Sequence, residues 1–375
     1  MTNNAALVPT GKKEMRNPNP IICSICRLLF GTVFFGLSLT AVTTTRVQAG
    51  DIALVETGST LLYPLFNIWV TNYTKTHPGI RIATDATGSA AGIEKAISGE
   101  AQIGASDLFM SDKEIKKNPQ ILNIPLCISA QMVNYNIPDL NTEKLQLDGT
   151  VLAGIYSGRI RNWDAAPIVA LNPSLKLPHQ PIIPIRRVEG SGDTFIFTQF
   201  LTFSDPVWAD NYGYGTKVTW PVVPGSLEAT GNEGMLETVP KTAYSVAYIG
   251  VSYSAEIAKF GLGTAWLKNQ AGNYLLPTKE SVEAAAAGLG SRTPPDERLF
   301  IAFAPGEDAY PLINYEYAIV SSRQADAATA AAIRKFLLWC IVPSETNESY
   351  LDSVHFIALP PHVWELSQAQ IQTIR

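Results

Sequence analysis

The chain has 375 residues, 46% hydrophobic and 16% charged, with 27 glycines, 25 prolines and a net charge of −5. That length accommodates about two domains with sizeable cores, and the composition excludes a disordered or membrane-embedded chain. The acidic balance argues against nucleic acid or anionic membrane as a partner, since both require a basic face.

Residues 1–49 read as a signal peptide outside the fold. Lys12, Lys13, Arg16 and Arg27 form a basic lead to an uncharged, mostly apolar run of 15 residues, 28–42. Val47-Gln48-Ala49 then places small residues at the two positions a signal peptidase reads. The run is short for a spanning helix, which makes an uncleaved anchor the weaker alternative. Cys23 and Cys26 precede the run, so they do not mark a lipoprotein. Export to the periplasm with cleavage after Ala49 is therefore expected. The processed chain would carry 23 basic and 32 acidic side chains, a net charge of −9. Its two cysteines, Cys127 and Cys340, lie in apolar runs; they either pair in the oxidising compartment or remain buried free thiols.

From Asp51 onward the pattern alternates strand and helix. Residues 52–55 read as a strand and 62–73 as a helix with Leu62, Phe66, Trp69 and Tyr73 on one face and Pro64 in its first turn. A strand at 80–84 leads to a helix carrying Ile93, Ala96 and Ile97, stopped by Gly99. A third strand, 101–105, ends at Ser106-Asp107. A second block, about 137–309, contains a strand at 181–186, the helix after Ser191, and a helix-prone run near 280–288. A strand at 317–320 and an alanine-rich helix at 325–341 follow. This rhythm predicts a largely parallel sheet flanked by helices.

Three segments share one arrangement of strand, glycine with hydroxyl residues, then helix: Gly58-Ser59-Thr60, Gly88-Ser89 and Gly190-Ser191-Gly192-Asp193-Thr194. The first turn of a helix leaves N–H groups without intrahelical partners, and the helix dipole favours negative charge there. At any one segment, plain N-capping explains the hydroxyls. Three together, at the sheet edge where open α/β folds bind ligands, point to an oxyanion. Arg187 supplies the fixed positive charge as a planar donor fork. Glu189 either orients it through an ion pair or is a solvated charge at the strand end.

Asp107 is the sharper residue. A carboxylate repels a fully deprotonated anion but accepts a hydrogen bond from a protonated one. Phosphate near neutral pH retains a P–OH; sulfate has none. Asp107 would therefore select phosphate by leaving sulfate with a repulsive, unpaired contact. The plainer alternative is that Asp107 caps the helix around 112–117. Asp193 is either a first-turn dipole residue or a second carboxylate facing the ligand. Signals for an enzyme, metal or cofactor are thin: Ser191 lies outside a GxSxG elbow, the four histidines have no metal-ligand spacing, and Walker and dinucleotide loops are absent.

With these residues in view, the chain resembles the periplasmic phosphate-binding protein of the high-affinity phosphate ABC transporter. The strings that carry the resemblance, in order, are ETGSTLLYPLFNIW (56–69), TGSAAGIEKAISGEAQIGASD (87–107), GIYSGRIRNWD (154–164), LNPSLKLP (171–178), RRVEGSGDTFIFTQFL (186–201) and GEDAYPL (306–312). The resemblance implies an α/β fold of the type II periplasmic binding protein class. Two lobes, 50–136 with 310–375 and 137–309, would be joined by a hinge and close over a dehydrated phosphate. It implies ligand contacts from Ser59, Thr60, the Leu61 backbone, Ser89, Asp107, Arg187, Ser191, Gly192 and Asp193, with Glu189 supporting Arg187. It also implies a monomer that delivers inorganic phosphate to the membrane permease subunits, without catalysis. Three positions depart from the usual pattern: Asp193 where threonine is common, Glu189 where aspartate is usual, and Gly88-Ser89-Ala90-Ala91-Gly92 in place of GSSGG. A receptor for another oxyanion and a secreted phosphoesterase using Ser191 are the rival expectations.

Overall fold

A computed structural model describes residues 51–290 and 292–375; the signal-peptide segment lies outside them. The strands in chain order are β1 (Ile52–Gly58), β2 (Ile80–Asp85), β3 (Ile103–Ser106), β4 (Ile121–Asn136), β5 (Gln146–Leu147) and β6 (Ile183–Arg187). They continue with β7 (Leu227–Ala229), β8 (Ser245–Gly250), β9 (Gly263–Thr264), β10 (Trp266–Lys268), β11 (Tyr274–Leu275) and β12 (Ile313–Ser321). Nine of them form one sheet in the order β2-β1-β3-β12-β4-β8-β6-β7, with β9 also on β4; β11, β10 and β5 make a small second sheet.

The expected parallel βα units occupy the two ends, where β1 pairs with β2 and β3, and β6 with β7 and β8. The centre corrects the expectation of a largely parallel sheet. There β12 runs antiparallel to both β3 and β4, and β4 antiparallel to β8. The cause is chain routing. The long β4 runs from one half of the sheet into the other, pairing with β12 up to Ala130 and with β8 from Gln131. β12 is the return pass, starting at Ile313 opposite Ala130, and a return pass must run the other way. Pro125 sits inside β4 with no N–H to give, and the ladder shifts register opposite it, between Glu316 and Tyr317.

Aromatic side chains pack the core at both ends of the sheet. The helix Tyr63–Thr76 begins at Pro64 in its first turn and buries Leu65, Phe66, Trp69 and Tyr73. Phe66 and Tyr73 meet Phe336 of the helix Ala327–Ile341, which Asp326 caps through the Thr329 N–H. In the other half Phe197 stacks on Tyr248 at 4.5 Å and Tyr156 meets Phe197 edge-on. Cys127 and Cys340 are both buried free thiols. Among the described residues no single helix is long and apolar enough to cross a membrane.

The stretch approaching β12 is pinned by polar contacts. The buried Glu297 accepts from Ser367 Oγ at 2.6 Å and Gln370 Nε2 at 2.5 Å, and its carbonyl accepts from Tyr317 OH. Burial pushes the Glu297 carboxyl up to about 8, against those two donors. A folded-state value above the unfolded one gives stability that is full in acid and lost as pH rises through about 8. Glu297→Gln should therefore lose less melting temperature between pH 5 and pH 8 than the parent chain. An equal loss in both would show that Glu297 does not carry this dependence.

Candidate functional site

The three strand–glycine–helix turns converge. Gly58 closes β1 at φ 144°, and a side chain there would run into the Ala105 carbonyl of β3. This close approach lets Ser59 reach the end of the neighbouring strand. Its N–H donates to Ala105 O, its Oγ donates to Asp107 Oδ1, and the same oxygen accepts from the Leu61 and Leu62 N–H groups at 3.1 and 3.0 Å. Ser89 does not cap its own helix; its Oγ accepts from the Asp107 N–H at 3.1 Å. Asp107 does not cap the following helix either. Ser111 does so, in a reciprocal box with Glu114.

The third turn meets the first two face to face. Ser191 caps the helix Gly192–Ser204 by accepting from the Thr194 N–H, and Gly192 opens that helix. A Cβ on Gly192 would overlap Asp107 Oδ2 and Ser89 Oγ. Ala90 N–H donates to Gly190 O at 3.0 Å, so the two glycine turns are hydrogen-bonded directly.

Arg187 closes β6 and is 3% exposed, so its charge must be satisfied by the protein. Its Nε donates to Glu189 Oε1 at 2.6 Å, one terminal nitrogen to Asp193 Oδ2 at 2.5 Å, and the other to Thr60 Oγ1 at 2.9 Å. The longer Glu189 side chain still makes the ion pair, and also accepts from the Gly231 N–H at 3.0 Å. Both oxygens of Asp193 are engaged: Gln131 Nε2 reaches Oδ1, and Asn232 Nδ2 reaches Oδ2 at 2.8 Å. Asp193 thus serves as counter-ion to Arg187 inside the protein.

Asp107 is 3% exposed. Burial pushes its carboxyl up from the usual range, to about 7, and the Asp193 charge adds to this. Ser59, Glu316 and Arg187 pull the other way. A buried acid poised near neutrality beside one guanidinium and two hydroxyls is suited to a partly protonated oxyanion. It suits a fully charged one poorly.

The ten residues singled out from sequence (Ser59, Thr60, Leu61, Ser89, Asp107, Arg187, Glu189, Ser191, Gly192 and Asp193) thus lie in one connected cluster. Ser191 is not arranged as a nucleophile. Its hydroxyl accepts its own helix N–H, and among the described residues no histidine hydrogen-bonds to it. Among the described residues no group of three His, Cys, Asp or Glu side chains is placed to hold a metal.

The PBP superfamily domain model matches residues 40–343. The phosphate-binding protein PstS of Methanocaldococcus jannaschii is 31% identical over 88% of this chain and 88% of its own length. The chain belongs to the PstS family of the PBP superfamily. The PstS of Xylella fastidiosa strain Temecula1 is 30% identical over 84% of each chain. The solved phosphate-binding protein of Stenotrophomonas maltophilia shares the fold, with a TM-score of 0.65 at 18% identity over 85% of this chain and 94% of that one.

In this family member a fourth turn joins the cluster. After β7, Thr230 and Gly231 lead into the helix Gly231–Thr238, and the buried Asn232 donates to Thr60 Oγ1 and Asp193 Oδ2. The same strand–glycine–helix arrangement was readable in ATGNEG, but β7 is only three residues long and its periodicity is too brief to register. Gln131, Asn314 and Glu316 also went unseen. They are polar residues inside otherwise apolar strands, and which face they serve depends on pairing register.

Proposed function

We propose that this chain is a periplasmic receptor that captures inorganic phosphate and delivers it to the membrane permease subunits of a phosphate ABC importer. The observation that carries the reading is Asp107. It is a buried carboxylate held by Ser59 and Ser89 beside Arg187, able to accept the hydrogen of a P–OH and unable to tolerate an anion without one. Ser59, Thr60, the Leu61 N–H, Ser89, Arg187, Ser191 and the Gly192 N–H supply donors around it, with Asp193 and Glu189 holding the guanidinium. The two halves of the sheet, 50–136 with 310–375 and 137–309, act as lobes. Closure brings the Gly190–Gly192 turn onto the Gly88–Ala90 turn, so that binding energy shifts an open–closed equilibrium. The relatives named as phosphate-binding proteins support the ligand class, and the basic-apolar-small pattern of residues 1–49 supports export by a cleaved signal. A monomer suffices, because all these contacts come from one chain.

Phosphorus analysis of the undenatured protein should give a near-stoichiometric signal. Titrations followed by the fluorescence of its seven tryptophans should show tight phosphate binding and negligible sulfate binding. In Asp107→Asn, which exchanges a repulsive acceptor for a neutral amide, the phosphate-over-sulfate ratio should fall by at least about tenfold, chiefly through gained sulfate affinity. Equal uptake of the two anions by the unaltered chain would overturn the reading.

A further inference from the structure

Two acidic turns of the site each carry a phenyl ring two residues on: Phe109 follows Asp107, and Phe195 follows Asp193. Phe300 lies between the two rings. Its ring centre is 4.6 Å from that of Phe109 and 5.6 Å from that of Phe195, with the latter planes 29° apart. It also meets Tyr214 edge-on at 6.3 Å. Aromatic pairs attract at these separations. The side chain is nevertheless 41% exposed, so it bridges two surfaces and does not fill a core. The stretch that carries it, 293–303, is fixed to one side of the cleft. Arg298 donates to the Met110 carbonyl at 3.2 Å and to Asp112 at 2.7 Å, and its guanidinium lies 5.8 Å over the Phe109 ring. Thr293 Oγ1 is 2.9 Å from Tyr315 OH, and Glu297 is held by Ser367, Gln370 and Tyr317. All these partners belong to 50–136 or 310–375. Towards the helix Gly192–Ser204 the stretch presents Phe300 and Phe303, and Phe303 meets Phe200 edge-on at 5.6 Å. Among the described residues no hydrogen bond joins 293–303 to that helix or to Tyr214.

We propose that Phe300 is a clasp: it stays with Phe109 on the Asp107 side, docks on Phe195 and Tyr214 when the lobes close, and is in this way a positioning residue for phosphate retention. The inference rests on the two-lobe phosphate reading above, and it moves 293–303 from the second lobe to the first. The polar anchors decide which way the ring goes. Arg298 and Glu297 hold the stretch by hydrogen bonds and ion pairs, whereas the facing side holds it by ring contacts that part without stranding a polar group. The Phe109 contact exists in both states and therefore cancels. The contacts with Phe195 and Tyr214 form only on closure, so they favour the closed state by their own strength. Ligand enters the open state and leaves only after reopening, so the clasp slows release and leaves entry unchanged.

The test is a double-mutant cycle of Phe300→Ala and Phe195→Ala, with phosphate entry and release followed by stopped-flow tryptophan fluorescence. Each single variant should release phosphate about two- to tenfold faster than the parent, with entry within about twofold. The double variant should release little faster than either single one, because both substitutions remove the same contact. Phe300→Leu, which keeps apolar area without the ring, should fall between parent and alanine variant. In the parent, ring-to-ring nuclear Overhauser contacts of phenylalanine-labelled protein should join Phe300 to Phe109 with and without phosphate, and Phe300 to Phe195 only with it. That measurement decides the matter even where a variant does not fold. An alanine variant with an unmoved release rate overturns the proposal. So do two single effects that simply multiply in the double variant, or a Phe300–Phe195 contact undiminished in ligand-free protein. A parent that fails to bind phosphate defeats the phosphate reading, and one whose small-angle scattering is unmoved by bound phosphate defeats the two-lobe reading. A parent that binds and closes while Phe300 never leaves Phe195 defeats the clasp alone.

Discussion

Arg187→Met should lower folding stability by about 3–5 kcal/mol and abolish phosphate binding in whatever fraction remains folded. The side chain is almost fully buried and is the shared partner of two carboxylates, Asp193 and Glu189, and of the Thr60 hydroxyl. Methionine fills much of the same volume, so lost packing is the smaller part of the effect. The larger part is what stays behind: a fully buried Asp193 and a half-buried Glu189 with no cation between them. Asp193 keeps the Gln131 and Asn232 donors, which softens the loss without supplying charge. Arg187→Lys should fall between, because one ammonium cannot reach three partners lying in the plane of a fork. Urea denaturation followed by tryptophan fluorescence measures the first effect and calorimetric titration the second. A methionine variant with an unchanged midpoint would show that the ion cluster is not what holds this corner of the fold.

The contrast between Arg187 and Glu316 shows what the sequence made legible. Arg187 was readable because it sits three residues before a Gly-Ser-Gly hinge, where local rules about helix starts and glycine apply within a handful of residues. The same holds for Ser59 and Ser89, each directly after a glycine, and for Gly192 within the hinge itself. The individual strands and helices around them were equally legible, since their periodicity is local. The direction of the central strands was not. β4 and β12 are separated by nearly 180 residues, and their antiparallel pairing follows from the out-and-back routing of the chain. Glu316 inherits that problem. It lies in the apolar run of β12, and its meaning appears only when the Pro125 irregularity sets the register that brings Asn314 and Glu316 against Asp107. The cap of the helix Asp112–Lys117 is a smaller case. Asp107 was the cap weighed from sequence, but Ser111 holds the position, because the Glu three places after it completes a reciprocal box. The end of the strand now seen as β6 shows the same competition, since pairing with β7 carries it through Arg187.

Gly192→Val should leave folding intact and reduce phosphate affinity by about 100-fold or more, equivalent to about 2.7 kcal/mol. The glycine is not needed for backbone shape. It lies in the first turn of the helix Gly192–Ser204, where any L residue fits, and its φ is not in the left-handed region. What requires glycine is the approach of the facing turns: a Cβ at this position would overlap Asp107 Oδ2 and Ser89 Oγ, and valine adds two methyl groups to the overlap. Neither obstacle yields easily. Asp107 is tied to Ser59, and Ser89 Oγ to the Asp107 N–H, so neither is the free end of a flexible chain. On the proposed two-lobe reading, parting the lobes would relieve this overlap, and the penalty would fall on closure alone. Gly192→Ala should show the same behaviour to a smaller degree, which separates steric obstruction from any loss of helix N-terminal donors, since both variants keep the N–H. Small-angle scattering with saturating phosphate would then find the parent compact and the valine variant still extended. A valine variant that binds phosphate as tightly as the parent would mean that capture proceeds without the Gly190–Gly192 turn closing onto Asp107.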